Sequence, residues 1–350
     1  MTKDTRRKAR SRGARIRRAL GWTVLVLVVA AGGLGYWGYR HLDNNLTTVD
    51  INQALGKERP KDVDRGARNI LVLGSDSRSG ANGDLAGGDT GDTARSDTAM
   101  VVHLPQGRRK ATAVSIPRDT LVSRPECTTA SGTPLPAAHR VMFNSVYTSG
   151  GPACVVKTVE AMSGVRMDHY VELDFAGFKG LVDAVGGVPV AIDRPIHDKE
   201  SGLDLSAGTH RLDGTRALAF VRTRHGIGDG SDLGRIGLQQ KFILALLSEV
   251  KRQNVLGNPT KLYKTANAAT KALTTDSELG SLPKLAAFAK SLNDLDPSSM
   301  DTLMLPVNYD TADPNRVVAA EPRARELWDA LRADRPVPAE SKKSPAHGAE

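Results

Sequence analysis

The chain has 350 residues, 40% of them hydrophobic and 25% charged, with a formal net charge of +9. This supports a sizeable buried core and excludes a disordered, collagenous or multipass membrane protein as the main description. The first 18 residues hold nine Lys and Arg and one acid, Asp4, so the tail carries +8 and the rest only +1, which excludes a globally basic nucleic-acid-binding domain.

Residues 1–18 read as a basic cytoplasmic tail, too short to fold, with no nucleic acid expected as a partner. Ala19 to Tyr39 is uncharged over 21 residues and has an apolar centre from Val24 to Ala31. At about 1.5 Å per residue it spans a hydrocarbon core of about 30 Å. Trp22, Tyr36, Trp37 and Tyr39 sit near its ends, as interfacial aromatics do. Residues 19–39 are therefore expected to form one transmembrane helix in the cytoplasmic membrane. Basic flanks stay in the cytoplasm, so the N-terminus is expected inside and residues 40–350 outside. The competing reading is a cleaved signal peptide ending near Ala30-Ala31-Gly32-Gly33; the length of the apolar run favours the anchor.

Residues 40–67 are polar without a sustained period and read as a linker. An extracytoplasmic domain is expected over 68–333, and a Pro, Ser, Lys and Ala-rich disordered tail over 334–350. Within the domain, 69–74 reads as a buried strand and 80–93 as a loop. Residues 98–104 and 111–116 read as a hairpin about Pro105-Gln106-Gly107. Residues 123–140 form a second loop. Helices are expected over 153–162, 175–185 (stopped by Gly186-Gly187), 236–250, 259–273 and 282–292. Strands are expected over 170–173, 188–192 and 300–306, with Pro189 marking an edge. The alternation gives an α/β fold with a mixed central β-sheet flanked by helices.

Cys127 and Cys154 are the two cysteines, an even number in a segment expected outside the membrane. One disulfide is the favoured reading and two buried thiols the other. The one G-x-G-x-x-G, Gly33 to Gly38, lies inside the apolar helix and follows no strand. It is a small-residue helix face rather than a nucleotide loop.

Four separated segments place Arg and Asp beside apolar strands: Gly74-Ser75-Asp76-Ser77-Arg78, Arg95-Ser96-Asp97-Thr98, Ser115-Ile116-Pro117-Arg118-Asp119-Thr120, and Phe220-Val221-Arg222-Thr223-Arg224 followed by Asp232, Arg235, Gln239 and Gln240. Arg222 and Arg224 are two apart, which in an extended segment puts both on one side. Two guanidiniums held together repel unless an anion lies between them, and their planar forks suit phosphate oxygens. Asp232, Arg235 and Gln239 share a face at a helix start. Asp76 and Asp97, at neighbouring strand ends, suit Mg²⁺ held with substrate phosphate and water. Taken singly, each segment reads as structural, as turn chemistry, an N-cap or a surface ion pair. The combination points to an anionic ligand, a phosphate or pyrophosphate.

These runs, together with Asp183-Ala184-Val185-Gly186-Gly187-Val188, the continuous stretch Asp213 to Arg224 and Asp232-x-x-Arg235-x-x-x-Gln239-Gln240, resemble the LytR-CpsA-Psr family of membrane-anchored cell-wall glycopolymer transferases. They cover about residues 68–250, in the family's order. The resemblance implies a donor glycan carried on a polyprenyl pyrophosphate and a peptidoglycan hydroxyl as acceptor. A phosphodiester forms and polyprenyl phosphate is released. It further implies that Asp76 and Asp97 hold Mg²⁺, and that Arg95, Arg118, Arg222, Arg224 and Gln239 contact the pyrophosphate, with Arg235 and Asp232 beside them. Arg118, Asp97 and Arg95 stand at the catalytic positions, and an apolar groove takes the lipid. The chain departs from the family pattern at Met142, where a Lys is usual and Arg140 is the candidate substitute. It departs again at Leu238, where an Arg is usual, and in a slightly longer Arg224–Asp232 spacing. The helix face Phe242, Leu246, Val250 has two readings, lipid groove or plain core. A hydrolase using the same site with water, and a non-catalytic receptor for lipid-linked glycan, remain open as alternatives.

Overall fold

The structure is a computed structural model that describes residues 12–56, 59–61, 66–75, 96–107, 110–129, 131–224 and 232–342. It divides into two units, Met1–Asn45 and Leu46–Glu350. In the first, helix α1 (Arg12–Asp43) runs through the apolar segment, and Leu20–Asp43, 24 residues of mean hydropathy 1.7, is long and apolar enough to cross a membrane. Val24 through Val29 are all more than half exposed.

The second unit is built on a seven-stranded sheet. Its strands are β1 (Thr47–Val49), β2 (Arg68–Ser75), β3 (Ser96–Leu104), β4 (Thr112–Ile116), β5 (His169–Asp174), β6 (Leu273–Asp276) and β7 (Asp301–Met304). Across the sheet the order is β1-β6-β5-β2-β3-β4-β7. β2, β4, β5 and β7 run one way and β1, β3 and β6 the other. The β3–β4 pairing, with Val101 facing Val114, is the hairpin expected from Pro105-Gln106-Gly107.

Alternation along β2 decides the layering. Leu71 and Leu73, both 0% exposed, point to one face. There they join Val101, Val114, Tyr170 and the helices α3 (Phe143–Ser163) and α9 (Arg323–Arg332) in the main core. Ile70 and Val72 point to the other face, against Phe288 and Leu292 at the end of α8 (Leu282–Ser291). The result is the expected α/β fold, a mixed sheet flanked by helices.

A second core lies off the sheet. It joins α4 (Phe175–Val185), α5 (Gly214–Arg222) and α6 (Asp232–Arg252) to the hairpins Val188–Ile192/Gly208–Leu212 and Ile196–Asp198/Leu203–Leu205. α4 is set by its ends: the Asp174 carboxylate accepts the Gly177 N–H at 2.6 Å, and Gly186 stops the helix in the left-handed conformation at φ 91°. Phe242 is 0% exposed, 5.3 Å from the Phe178 ring and 6.3 Å from Phe220, so the α6 face carrying it is core at that point. Val250, two turns on, borders an apolar cleft of about 330 Å³ with Leu247, Leu292 and Leu295.

Several boundaries differ from the sequence expectation. Residues 40–67 are not a linker throughout. α1 continues to Asp43, β1 pairs in parallel with β6, and helix α2 (Ile51–Leu55) buries Ile51 and Leu55 in the main core. Arg59 then meets Glu160 on α3 at 2.6 Å, with side chains only 6% and 3% exposed. The domain also continues past 333. Asp334 accepts the His103 Nε2–H at 2.9 Å, while Val337 and Ser341 are buried. The described tail therefore packs on the domain to Lys342. α3 begins ten residues before the expected start. Non-helical Gly151, φ 69°, kinks it ahead of Pro152, and that Pro disguises the first half. Residues 123–140 contain short paired strands, and Cys127 is joined to Cys154 in a disulfide, Cα–Cα 5.6 Å.

Candidate functional site

The carboxyl ends of β2, β4, β5 and β7 converge at one end of the sheet, the position where open α/β sheets bind ligands. Register places the polar segments there. Gly74 faces Thr98 but Ser75 faces Ser96, so Asp97 is the additional residue of a β-bulge at the start of β3. A side chain at Gly74 would bring its Cβ to 3.2 Å from the Thr98 Cβ, a tight contact that glycine avoids where these strands approach. Ser75 also faces Asp174, the N-cap of α4. Across β3, Ala99 faces Ile116, so Pro117-Arg118 leaves β4 level with the bulge.

A turn holds Arg118. Buried Thr120 sends both its amide, at 3.1 Å, and its hydroxyl, at 2.7 Å, to the Pro117 carbonyl. The Arg118 carbonyl accepts the Asn144 amide at 3.0 Å. Its guanidinium Nε lies 3.4 Å from Asp119, which also sits 3.8 Å from Arg316. Arg118 and Asp119 thus form the ion pair that the sequence offered as one reading.

Beside this end opens a cleft of about 200 Å³, lined by Thr98, Phe175, Asp198, Glu200, Ser201, Val221, Arg222, Arg224, Arg235 and Gln239. Three guanidiniums thus face two carboxylates, a net positive lining. The structure gathers Arg222, Arg224, Arg235 and Gln239 as the spacing predicts, but for a different local reason. The 220–224 stretch is not extended. Arg222 is the last residue of α5, which Asp213 caps by accepting the Arg216 amide at 2.8 Å, and the chain turns extended only at Thr223. The Arg222 guanidinium stacks over the Phe175 ring at 4.9 Å. Arg235 and Gln239 lie one turn apart on α6, 4% and 8% exposed, and Gln239 Nε2 donates to the Val221 carbonyl at 3.2 Å. Next to it Gln240 Nε2 donates to Ser115 Oγ at 3.1 Å and to the Leu303 carbonyl at 2.8 Å, docking α6 onto β4 and β7.

Asp76 and Arg95 lie outside the described residues, and Asp97 and Asp232 are described by backbone alone. Among the described residues no group of three or more His, Cys, Asp or Glu stands together as a metal site. Arg140 is the candidate substitute for the family's usual Lys. It adopts φ 54° and its guanidinium grips buried Asp310 at 2.9 Å, which helps hold that carboxyl below the usual range. Leu238, where the pattern has Arg, packs in the second core.

Sequence reasoning passed over Asp198, Ser201 and Phe175 as site residues. Asp198 is 3% exposed. One oxygen accepts the Glu200 and Ser201 amides at 2.9 and 3.3 Å, and the other accepts the Arg224 amide at 3.0 Å. Its only sequence signal is the turn chemistry of Asp198 ahead of Ser201-Gly202.

Known proteins share this architecture. The chain is 31% identical to the cell wall biosynthesis protein LcpA of Corynebacterium glutamicum over 81% of its length, and spans little more than half, 58%, of that curated relative. It is also 31% identical to the polyisoprenyl-teichoic acid–peptidoglycan teichoic acid transferase TagT of Bacillus subtilis, over 71% of this chain and 74% of TagT. Among solved structures, the LytR-Csp2A-Psr enzyme from Actinomyces oris superposes with a TM-score of 0.60 at 25% identity, covering 82% of this chain and 96% of that one. The sequence model of the LytR_cpsA_psr family matches residues 39–333, which contain the whole sheet and the cleft, and the chain belongs to that family.

Proposed function

We propose that the chain is a membrane-anchored transferase that moves a phosphoglycan from a polyprenyl-pyrophosphate carrier to a hydroxyl of peptidoglycan, releasing polyprenyl phosphate. The convergence of Arg222, Arg224, Arg235 and Gln239 on one cleft at the carboxyl end of the sheet carries this reading. Guanidinium forks pair bidentately with phosphate oxygens, and such a half-buried cluster favours a ligand of high negative charge density over a single carboxylate. The relative TagT, whose name states a polyisoprenyl donor and a peptidoglycan acceptor, supplies the substrate classes.

In the reaction the acceptor oxygen attacks the phosphorus linked to the sugar. The bond from that phosphorus to the bridging oxygen breaks, the acceptor loses its proton, and the lipid phosphate departs. Such a transfer needs positioning and charge neutralisation more than a covalent nucleophile. Arg222, Arg224, Arg235 and Gln239 bind the pyrophosphate. Arg118, Arg95 and Asp97 are the residues proposed to act at the reacting phosphorus, with Asp232 as a further polar group. Carboxylate oxygens suit Mg²⁺, and the bulge sets Asp97 beside Ser75, the residue before Asp76, so these two aspartates are the proposed holders of the ion. When bound, it supplies charge neutralisation at the phosphate oxygens. The apolar cleft at the far end of α6 is the proposed place for the carrier's hydrocarbon. The apolar run in α1 holds the chain in the cytoplasmic membrane, with the Lys and Arg of residues 1–18 inside and the domain outside.

The test incubates the full chain in detergent with a polyprenyl-pyrophosphate-linked saccharide, Mg²⁺ and peptidoglycan fragments, read by mass spectrometry, alongside Arg118→Ala and Asp97→Ala. A glycan-phosphate-peptidoglycan adduct that needs the ion and both residues is the expected result. Free phosphoglycan without adduct means hydrolysis. Tight binding without turnover means a receptor.

A further inference from the structure

We propose that Asp198 is the positioning residue of the arginine pair: its buried carboxylate fixes the backbone from which Arg224 reaches the cleft. The inference rests on the pyrophosphate reading of that cleft.

The local backbone poses a problem that Asp198 solves. α5 ends at Arg222, and Thr223 leaves it at φ −59°, ψ 132°. Arg222 and Arg224 are therefore not neighbours on a strand, and nothing in the helix keeps them on one side. The Arg224 amide hydrogen-bonds instead to Asp198 Oδ2 at 3.0 Å, on a hairpin 26 residues away in sequence. The other oxygen of Asp198 takes the amides of Glu200 and Ser201, which locks the turn carrying it. A second tie runs alongside. Ser201 Oγ lies 2.9 Å from Thr223 Oγ1, which donates at 2.9 Å to the Ala219 carbonyl. Thr223 is 0% exposed. The turn at Asp198–Ser201 thus pins residues 223 and 224 from both sides.

The choice of a charged group has its own reason. A buried carboxylate is costly unless hydrogen bonds replace its water. Here three amides do so, and hydrogen bonds to an ionised acceptor are the stronger kind. Its charge also lies on the wall facing Arg222, Arg224 and Arg235, which lowers their mutual repulsion before a ligand arrives. An Asn at this position has the same shape but only one accepting atom. Its NH₂ group would face amide N–H groups on one side, so one of the two connections fails.

The experiment measures inorganic pyrophosphate binding to the full chain in detergent by calorimetry, with Arg224→Ala, Arg235→Ala, Asp198→Asn and the pairwise combinations, each shown to be folded by circular dichroism. Asp198→Asn is expected to weaken binding about tenfold to hundredfold, the range for a displaced or lost charge-assisted contact. Combined with Arg224→Ala it adds less than about twofold, because the residue acts through Arg224, whereas with Arg235→Ala the two losses multiply. If Asp198→Asn does not fold, Ser201→Ala removes the parallel tie and is expected to weaken binding a few-fold, again without effect in the Arg224→Ala background. Binding of Asp198→Asn within about twofold of the parent, or losses that multiply with Arg224→Ala, overturns the proposal. Failure of the unaltered chain to bind pyrophosphate overturns the reading of the cleft itself.

Discussion

Replacing Arg59 by Met tests whether the segment after the anchor belongs to the domain. Glu160 lies on α3 with its side chain 3% exposed. It accepts Arg59 Nη2 at 2.6 Å, Arg59 Nε at 3.1 Å and the Met167 amide at 2.9 Å. Arg59 also spans to the Met167 carbonyl at 2.7 Å and to Asn52 Oδ1 at 2.8 Å, so one guanidinium ties α2, α3 and the entrance to β5. Without it, a buried carboxylate keeps a single amide donor. Breaking a buried pair on one side costs about 3–5 kcal/mol, mostly from the uncompensated charge. In a domain of this size each kcal/mol moves the midpoint by about 2 °C, so a fall of about 6–10 °C is expected in calorimetry. The double variant Arg59→Met/Glu160→Met removes both charges and should recover most of the loss. A fall below about 2 °C for Arg59→Met, or a double variant no more stable than the single one, would refute the assignment of residues 46–61 to the folded unit.

Three further outcomes are expected. The Arg252 guanidinium holds the Glu249 carboxyl down to about 2 from 4.5, against burial, with Gln253 and Arg211 assisting. A carboxyl depressed in the folded state stabilises above its unfolded value and loses that contribution as pH falls from about 4.5 to 2. Glu249→Gln should flatten acid unfolding in that window by about 2 kcal/mol, discounted because Arg211 and Arg252 are largely exposed, as read by urea titration. Replacing Cys127 and Cys154 by Ser opens a loop with a sequence separation of 27 and should cost about 3.5 kcal/mol, measurable against the oxidised chain in urea. Phe175→Leu removes the ring under Arg222 and should weaken pyrophosphate a few-fold, whereas Arg222→Ala should weaken it about tenfold to hundredfold, both by calorimetry.

The elements that sequence alone describes well are those whose signals agree at several levels. β2, β3 and β4 are short apolar runs bounded by turns, and α4 carries Asp174 at one end and Gly186 at the other. β1 and α2, at three and five residues, are too short for any period to show, so long-range pairing with β6 and burial on α3 decide them. Residues 214–222 mislead for a sharper reason. Leu218 and Phe220, then Arg222 and Arg224, alternate like a strand, while Gly214, Ala217 and Leu218 mark a helical face equally well. Asp213 capping the Arg216 amide resolves the conflict, and it was legible. In the site, Arg222, Arg224, Arg235 and Gln239 were legible because guanidinium and amide side chains at set spacings are a signal of residue type. Asp198 was not, because its partner is a backbone amide, which every residue carries, on a segment that only the fold brings near.

The sheet's borders carry a consequence for how copies of this protein can crowd. Its outermost strands, β1 and β7, are three and four residues long, flanking interior strands of up to nine. An unpaired border of that length offers few free amide and carbonyl groups for a neighbour to zip onto. Strand-to-strand joining between adjacent molecules is therefore blunted, and copies at high local density can stay separate without charge repulsion doing that task.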